Sequence, residues 1–170
     1  YFFEDARNKK AEKVDYSGLF EGLDIMKAGE HYLSFMGKYP VINLSLKSGR
    51  QPDFEMARDS LIDEIQKEYD RHRYILNTDV LPIDKREKYE SILTGKADQI
   101  EYAKALEFLS KCLEEFHGVK TVILIDEYDV PLEHAFMEGF YQEMIGFIRS
   151  LFESALKTNA SLEFAVITGC

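Results

Sequence analysis

Three stretches of the chain carry the pattern of β-strands. Residues 121–126 read Thr-Val-Ile-Leu-Ile-Asp, an apolar run without polar alternation, which is typical of a strand buried on both faces of a parallel sheet. Residues 41–46, directly after Pro40, alternate in part between apolar and polar positions. Residues 162–168 form another apolar run that ends in a polar residue. These patterns predict strands at about 41–46, 121–126 and 162–168.

Between the strands, apolar residues recur every three or four positions, which is the spacing of amphipathic helices. The predicted helices cover 54–76, 85–93, 98–116 and 140–156. Asp98 and Glu101 are spaced as a capping box at the start of the third helix, and Gly118 fits a left-handed residue after its end. Asn159 is interpreted as a left-handed residue after the fourth helix.

Two shorter segments are predicted without a strand or a long helix. Val130-Pro131-Leu132 is interpreted as a turn after the middle strand, and Tyr1-Phe2-Phe3 as the last turn of a helix. The overall order of strand, helices, strand, helix and strand predicts right-handed crossovers. The fold class is therefore α/β, with a parallel sheet flanked by helices.

Composition narrows the class of protein. A length of 170 residues fits one domain, residues 1–170, and no apolar run is long enough to cross a bilayer. The net charge of −10, with basic residues mostly interleaved with acids, argues against a nucleic-acid surface. Cys112 and Cys170 have no metal-site spacing and form no disulfide framework; Cys112 fits a small core residue. We expect a cytoplasmic protein.

Polar side chains stand at the end of each predicted strand. Ser45, the pair Asp126 and Glu127, and Thr168 would share one edge of a parallel sheet, where open α/β sheets bind ligands. An apolar strand ending in Asp-Glu has the form of a Walker B segment. Asp126 would then hold Mg²⁺ through water, Glu127 would orient the attacking water, and Thr168 would sense a γ-phosphate. Alternatively, the acids only end a core strand, and the Thr168 hydroxyl bonds neighbouring backbone.

Three motifs together resemble the bacterial AAA-ATPase-like family of predicted P-loop NTPases. They are Leu-Phe-Glu-Gly-Leu at 19–23, Ile-Leu-Ile-Asp-Glu-Tyr-Asp at 123–129 with Pro131, and Ile-Thr-Gly at 167–169. The resemblance spans nearly the whole chain and implies a three-layer P-loop-NTPase-like core. It implies that Asp126 is the Mg²⁺ position, Glu127 the catalytic base and Thr168 a sensor-like residue. The roles of Tyr128 and Asp129 in the motif are not assigned.

The chain departs from the family pattern at the phosphate loop. No Gly-x4-Gly-Lys-Ser/Thr occurs in the 170 residues, and such a loop supplies the backbone N–H groups and the lysine that hold nucleotide phosphates. In the family this loop precedes the position at which this chain begins. We therefore expect a domain fragment whose intact protein uses ATP and Mg²⁺, while this polypeptide alone neither binds ATP tightly nor hydrolyses it.

The resemblance also predicts the order of the sheet and a partner. In related ATPases the strand of the phosphate loop lies beside the sensor strand, so the expected order is 41–46, 121–126, 162–168, with the last strand exposed at one edge. Exposed apolar edges favour pairing with another chain, and self-association is expected there.

Two other functions stay open at this point. One is a non-catalytic binding or scaffold domain that has kept an NTPase fold. The other is a metal-dependent nuclease with Asp126, Glu127 and Asp129 as direct ligands; no convincing further acid or lysine accompanies them.

Overall fold

The sheet has the predicted strands in the predicted order. The computed structural model describes residues 1–169, which include parallel strands β1 (Val41–Ser45), β2 (Thr121–Asp126) and β3 (Leu162–Ile167). Their order is β1-β2-β3, so β2 lies in the middle. Ser45 pairs with Asp126, and Ile125 pairs with Ile167, after an irregularity at Thr121 and Val122. The carboxyl ends of all three strands therefore meet at one edge of the sheet.

Seven α-helices surround the sheet in the described part of the chain. They are α1 (Glu30–Leu33), α2 (Phe54–Arg71), α3 (Ile83–Leu93), α4 (Gln99–Ala103), α5 (Ala105–His117), α6 (Val130–Glu138) and α7 (Tyr141–Phe152). Short 3₁₀ turns cover Ser17–Phe20, Asp24–Lys27, Lys47–Gly49 and Arg73–Asn77, and a π-helical turn covers Glu153–Lys157. The result is a three-layer α/β fold of the P-loop type. Within residues 1–169, no helix has the length and apolarity needed to cross a membrane.

The helix predictions are right in position and differ in extent. The helix predicted over 54–76 ends at Arg71 and is followed by a 3₁₀ turn. The helix predicted over 98–116 is two helices, separated at Lys104. The capping box of Asp98 with Glu101 is present, and Gly118 adopts the left-handed conformation. These caps could be predicted because each depends on two or three neighbouring residues.

Three local predictions are wrong. Val130–Leu132 is not a turn but the start of α6, because Pro131 occupies the first turn of a helix, where its missing N–H is not needed. Tyr1–Phe3 is not helical; the segment is non-helical up to Glu4, which forms a bridge to Tyr39. Asn159 is not left-handed, and its side chain instead accepts a hydrogen bond of 3.1 Å from the N–H of Ser161.

The core lies around β1 and β2 and is closed by α2, α5 and α7. Its largest fully buried side chains include Ile42, Leu44, Leu61, Ile65, Tyr69, Leu106, Leu109 and Leu113. Cys112 is buried among them, as predicted, and burial raises the pKa of its thiol to about 12. Cys170 lies outside the described residues. The packed layers fix the ends of the strands, and thereby the position of the polar residues that follow them.

Candidate functional site at the carboxyl ends of the strands

The site is built around the backbone turn that follows β2. Glu127 has a φ of 54°, so it adopts the left-handed conformation, which L-residues other than Gly, Asn and Asp seldom adopt. Its N–H donates a hydrogen bond of 2.8 Å to Oδ1 of Asp126, which holds the turn in place. A strained non-glycine residue at the end of a central strand is typical of functional sites. Because of this turn, the two neighbouring carboxylates reach in different directions.

On the β3 side, Asp126 contacts Thr168. The Thr168 hydroxyl donates a hydrogen bond to Oδ1 of Asp126, and the Thr168 N–H donates to the carbonyl of Ile125 at 2.9 Å. The Thr168 carbonyl in turn accepts from the N–H of Tyr128 at 3.3 Å. The hydroxyl is thus bonded to the carboxylate, not to the neighbouring backbone. Asp126 and Thr168 are both exposed at the edge of the sheet.

On the β1 side, Glu127 contacts Ser45. The Ser45 hydroxyl donates a hydrogen bond of 3.1 Å to Oε2 of Glu127, and Nζ of Lys47 lies 3.7 Å from Oε1. The backbone is fixed as well, because the N–H of Leu46 donates to the carbonyl of Asp126 at 2.9 Å. The sequence analysis did not identify Lys47 as a candidate site residue. Its position two residues after Ser45, at the end of a strand, is the signal by which it could have been found.

Gly169 is required by close packing against the residues after Glu127. A Cβ at position 169 would lie 2.6 Å from Oδ1 of Asp129 and 2.8 Å from a ring carbon of Tyr128. No side chain fits at such distances without a shift of the surrounding atoms. The Thr-Gly and Asp-Glu-Tyr-Asp motifs are therefore in contact, and Tyr128 and Asp129 form the wall against which Gly169 packs.

The donor set at this edge fits a magnesium ion held with substrate. Mg²⁺ usually keeps several waters and is bound through one or two carboxylates together with phosphates. Asp126 is an exposed carboxylate with a neighbouring hydroxyl, which suits that mode. Among residues 1–169, no group of three or more His, Cys, Asp and Glu side chains is placed to hold a metal by itself. The nuclease alternative, which needs such a group, gains no support from the geometry.

The fold and the edge together define a class of protein, the P-loop-type α/β domains that carry polar residues where their parallel strands end. The family comparison is specific. The family model AAA-ATPase_like, described as predicted AAA-ATPase, matches residues 1–170, and the chain belongs to this family. No curated protein and no solved structure matches the chain significantly.

Proposed function

We propose that this chain is part of an ATP-binding and ATP-hydrolysing domain, in which the residues after β2 form a Walker B segment. The observation that carries the proposal is the convergence of Ser45, Asp126, Glu127 and Thr168 at the ends of three adjacent parallel strands. Phosphoryl transfer depends on positioning and on stabilisation of charge, and this edge offers acidic, hydroxyl and cationic groups within a few ångströms. Membership of a predicted AAA-ATPase family supports the same function.

Each residue has a distinct role in the proposal. Asp126 would hold Mg²⁺ through water, and Thr168 fixes the orientation of its carboxylate while no nucleotide is bound. With ATP bound, the Thr168 hydroxyl would turn its single hydrogen from Asp126 to the γ-phosphate. Glu127 accepts a hydrogen bond from the attacking water and so orients it. When bound, Mg²⁺ supplies positive charge that stabilises the phosphate oxygens. Ser45 and Lys47 hold the Glu127 carboxylate at the β1 side of the site while no substrate is bound.

The phosphate loop is not among these 170 residues, so nucleotide binding needs a segment outside them. We propose that ATP and Mg²⁺ bind when these residues are joined to such a loop, and that this polypeptide alone neither binds ATP tightly nor hydrolyses it. Measurable Mg²⁺-dependent hydrolysis by the 170-residue chain would contradict this part of the proposal.

The test is ATP hydrolysis by a longer natural polypeptide that contains both this chain and a phosphate loop. Glu127→Gln keeps the shape of the side chain and removes the carboxylate, so we expect hydrolysis to fall by about 100-fold or more, as for loss of a water-positioning group. ATP binding, measured with a fluorescent analogue, should be retained. Glu133→Gln, an exposed acid on α6, is the matched control and should leave hydrolysis unchanged.

The result also separates catalysis from a scaffold function. A scaffold domain would show no ATP hydrolysis, whether or not it binds nucleotide. Glu127→Gln would then leave the measured hydrolysis unchanged. Asp126→Asn should in addition raise the Mg²⁺ concentration needed for half-maximal hydrolysis, because it removes the proposed metal carboxylate. Unchanged Mg²⁺ dependence in that variant would refute the assignment of Asp126.

We also propose self-association through the outer edge of β3. No strand among residues 1–169 pairs with that edge, and Val166 and Ile167 are 45% and 40% exposed. Unpaired strand edges with apolar side chains favour pairing between chains. Sedimentation velocity should show dimers or larger species, and Val166→Lys should shift the chain toward monomer. A purely monomeric wild-type profile would refute the proposal.

A further inference from the structure

A buried chain of hydrogen-bonded polar side chains lies around the start of β1, away from the candidate site at the carboxyl ends of the strands. It runs from the end of α2 through the following 3₁₀ turn to the end of α5 and then to the first residues of the protein. Its members, in order, are Glu68, His72, Tyr74, His117 and Asp5. The two histidine side chains are 3% and 0% exposed. Such a network is strong only when each of its hydrogen bonds has a proton.

The two ends of the chain fix one proton on each histidine. Nε2 of His72 lies 3.0 Å from the carbonyl of Val41 and 3.3 Å from Oε1 of Glu68, and both of these are acceptors. Nδ1 of His117 lies 3.0 Å from Oδ2 of Asp5, another acceptor. Each of these nitrogens must therefore carry a hydrogen. In a neutral imidazole the opposite nitrogen is then bare.

The middle of the chain is one proton short when both histidines are neutral. The Tyr74 hydroxyl lies 3.2 Å from Nδ1 of His72 and 2.8 Å from Nε2 of His117, and it has a single hydrogen for these two bare nitrogens. One nitrogen would then face an oxygen lone pair in a buried place. A single extra proton on either imidazole satisfies every link, because Tyr74 then accepts from the charged ring and donates to the neutral one.

The surrounding charges keep both ends of the chain in the acceptor state. Burial disfavours ionised Glu68, but hydrogen bonds from His72 and Arg71 outweigh it and lower the pKa of Glu68 to about 2. Burial likewise opposes ionised Asp5, whose pKa is nevertheless lowered by Arg7, His117 and Lys13. The charged groups that contact the chain from the elements packed against it are Glu4, Arg7, Lys13 and Arg71.

The Tyr74 hydroxyl points in opposite directions for the two possible positions of the extra proton. Burial lowers the pKa of His117, although the neighbouring Asp5 acts in the opposite direction, so His117 is the ring that stays neutral. His72 faces the Glu68 carboxylate and the Val41 carbonyl through one nitrogen, and its other N–H then donates to Tyr74. In this arrangement each hydrogen bond between His72 and Asp5 is donated in the direction of the amino-terminal segment.

We propose that these five side chains form a proton latch, in which one proton shared by His72 and His117 fastens residues 1–15 to the core and its loss at higher pH loosens that segment. The latch is one of several attachments of this segment. The carbonyl of Phe3 accepts a hydrogen bond of 2.8 Å from the N–H of Tyr39, and the Asn77 side chain donates one of 2.8 Å to the carbonyl of Lys9. Asp5 donates its N–H to the carbonyl of Tyr39 at 2.7 Å, and Glu4 pairs with Arg71. Histidine is the side chain whose charge changes near neutral pH, so the latch would open as the pH rises across that range.

The proton positions can be observed directly by ¹⁵N NMR of the histidine rings. At pH 6, with the latch closed, we expect one extra proton on this pair of rings and a neutral His117 protonated at Nδ1, which is the less common tautomer in water. At pH 8.5 both rings should be neutral. Two neutral rings at pH 6, or a neutral His117 protonated at Nε2, would overturn the proposal.

Loosening of the segment is measured by amide hydrogen exchange, corrected for the intrinsic effect of pH. Loss of one buried link should raise the opening of residues 1–15 by about tenfold between pH 6 and pH 8. Tyr74→Phe keeps the ring and removes the link, so opening of the segment should be raised equally at both pH values. His31→Gln changes an exposed histidine and should behave as wild type. Should Tyr74→Phe fail to fold, the wild-type comparison still decides, because equal opening at both pH values refutes the latch.

Discussion

Replacement of Glu68 by Gln should destabilise the protein, because it removes the buried carboxylate that is hydrogen-bonded to the outer edge of β1. Glu68 is 5% exposed, and its Oε1 accepts a hydrogen bond of 2.8 Å from the N–H of Asn43 on that edge. The Arg71 guanidinium donates to Oε2 at 2.9 Å. A glutamine keeps the size of the side chain but offers one acceptor oxygen and an amide group that faces Arg71. The variant therefore removes one of the two carboxylates that contact Arg71, and the partly exposed guanidinium keeps Glu4 as its other carboxylate partner.

The magnitude follows from the acidity of Glu68. Its pKa falls from an ordinary 4.5 to about 2, and each pKa unit corresponds to about 1.36 kcal/mol, so the ionised form contributes about 3 kcal/mol to folding. Because the pKa is depressed in the folded state, this contribution is fully present above about pH 4.5. It is lost as the pH falls from 4.5 toward 2. Glu68→Gln should lack that part of the acid dependence and be less stable at pH 7.

The assay is urea denaturation at several pH values, followed by circular dichroism. Glu64→Gln is the matched control, because Glu64 lies on the same helix and forms only a surface ion pair with Lys67 at 2.7 Å. That variant should lose less than about 1 kcal/mol. If Glu68→Gln were as stable as this control at pH 7, or kept the full loss of stability below pH 4.5, the buried carboxylate would not have the role assigned to it.

Four further substitutions test local features of the structure. Gly49→Ala places a Cβ 2.7 Å from Cβ of Pro131 and should cost about 1–3 kcal/mol in thermal denaturation; the reasoning fails if it is neutral. Gly146→Ala, in α7 with open space around it, should stabilise by about 0.5–1 kcal/mol, and a loss would contradict this. Glu127→Gly relieves a left-handed residue and should stabilise the isolated chain by about 1 kcal/mol although it removes the proposed base. Ser45→Ala should change stability by less than about 1.5 kcal/mol, because it removes one hydrogen bond, and a larger loss would indicate a packing role.

The sheet could be predicted because its signals are local and redundant. The apolar run before Asp126 has no polar interruption, and the runs before Ser45 and Thr168 end at polar residues. Since parallel strands end at one edge, these three positions were expected to meet, and they do. The contact between the Thr-Gly and Asp-Glu-Tyr-Asp motifs also agrees with the family resemblance. Their chemical roles stay predictions.

Features that depend on long-range contacts were not predictable. The break at Lys104 lies inside a continuous apolar stripe, and nothing in the periodicity marks it. Pro131 was interpreted as part of a turn because a proline after a strand permits both a turn and the first turn of a helix. Glu68 is a buried acid in a helix, and a method that follows only apolar positions passes over it. Its spacing of four residues from His72 was the available hint.

The two borders of the sheet differ, and this limits how the domain can be extended. Side chains of Glu68, Arg71 and His72 already engage the peptide groups of β1, so a new strand would have to displace a buried ionic cluster there. Among residues 1–169, no side chain forms such hydrogen bonds with the outer edge of β3. Any strand that completes this sheet, whether from the same polypeptide or another, is therefore directed to the Thr168 flank of the acidic pair, and whatever that strand carries at its tip arrives beside Asp126.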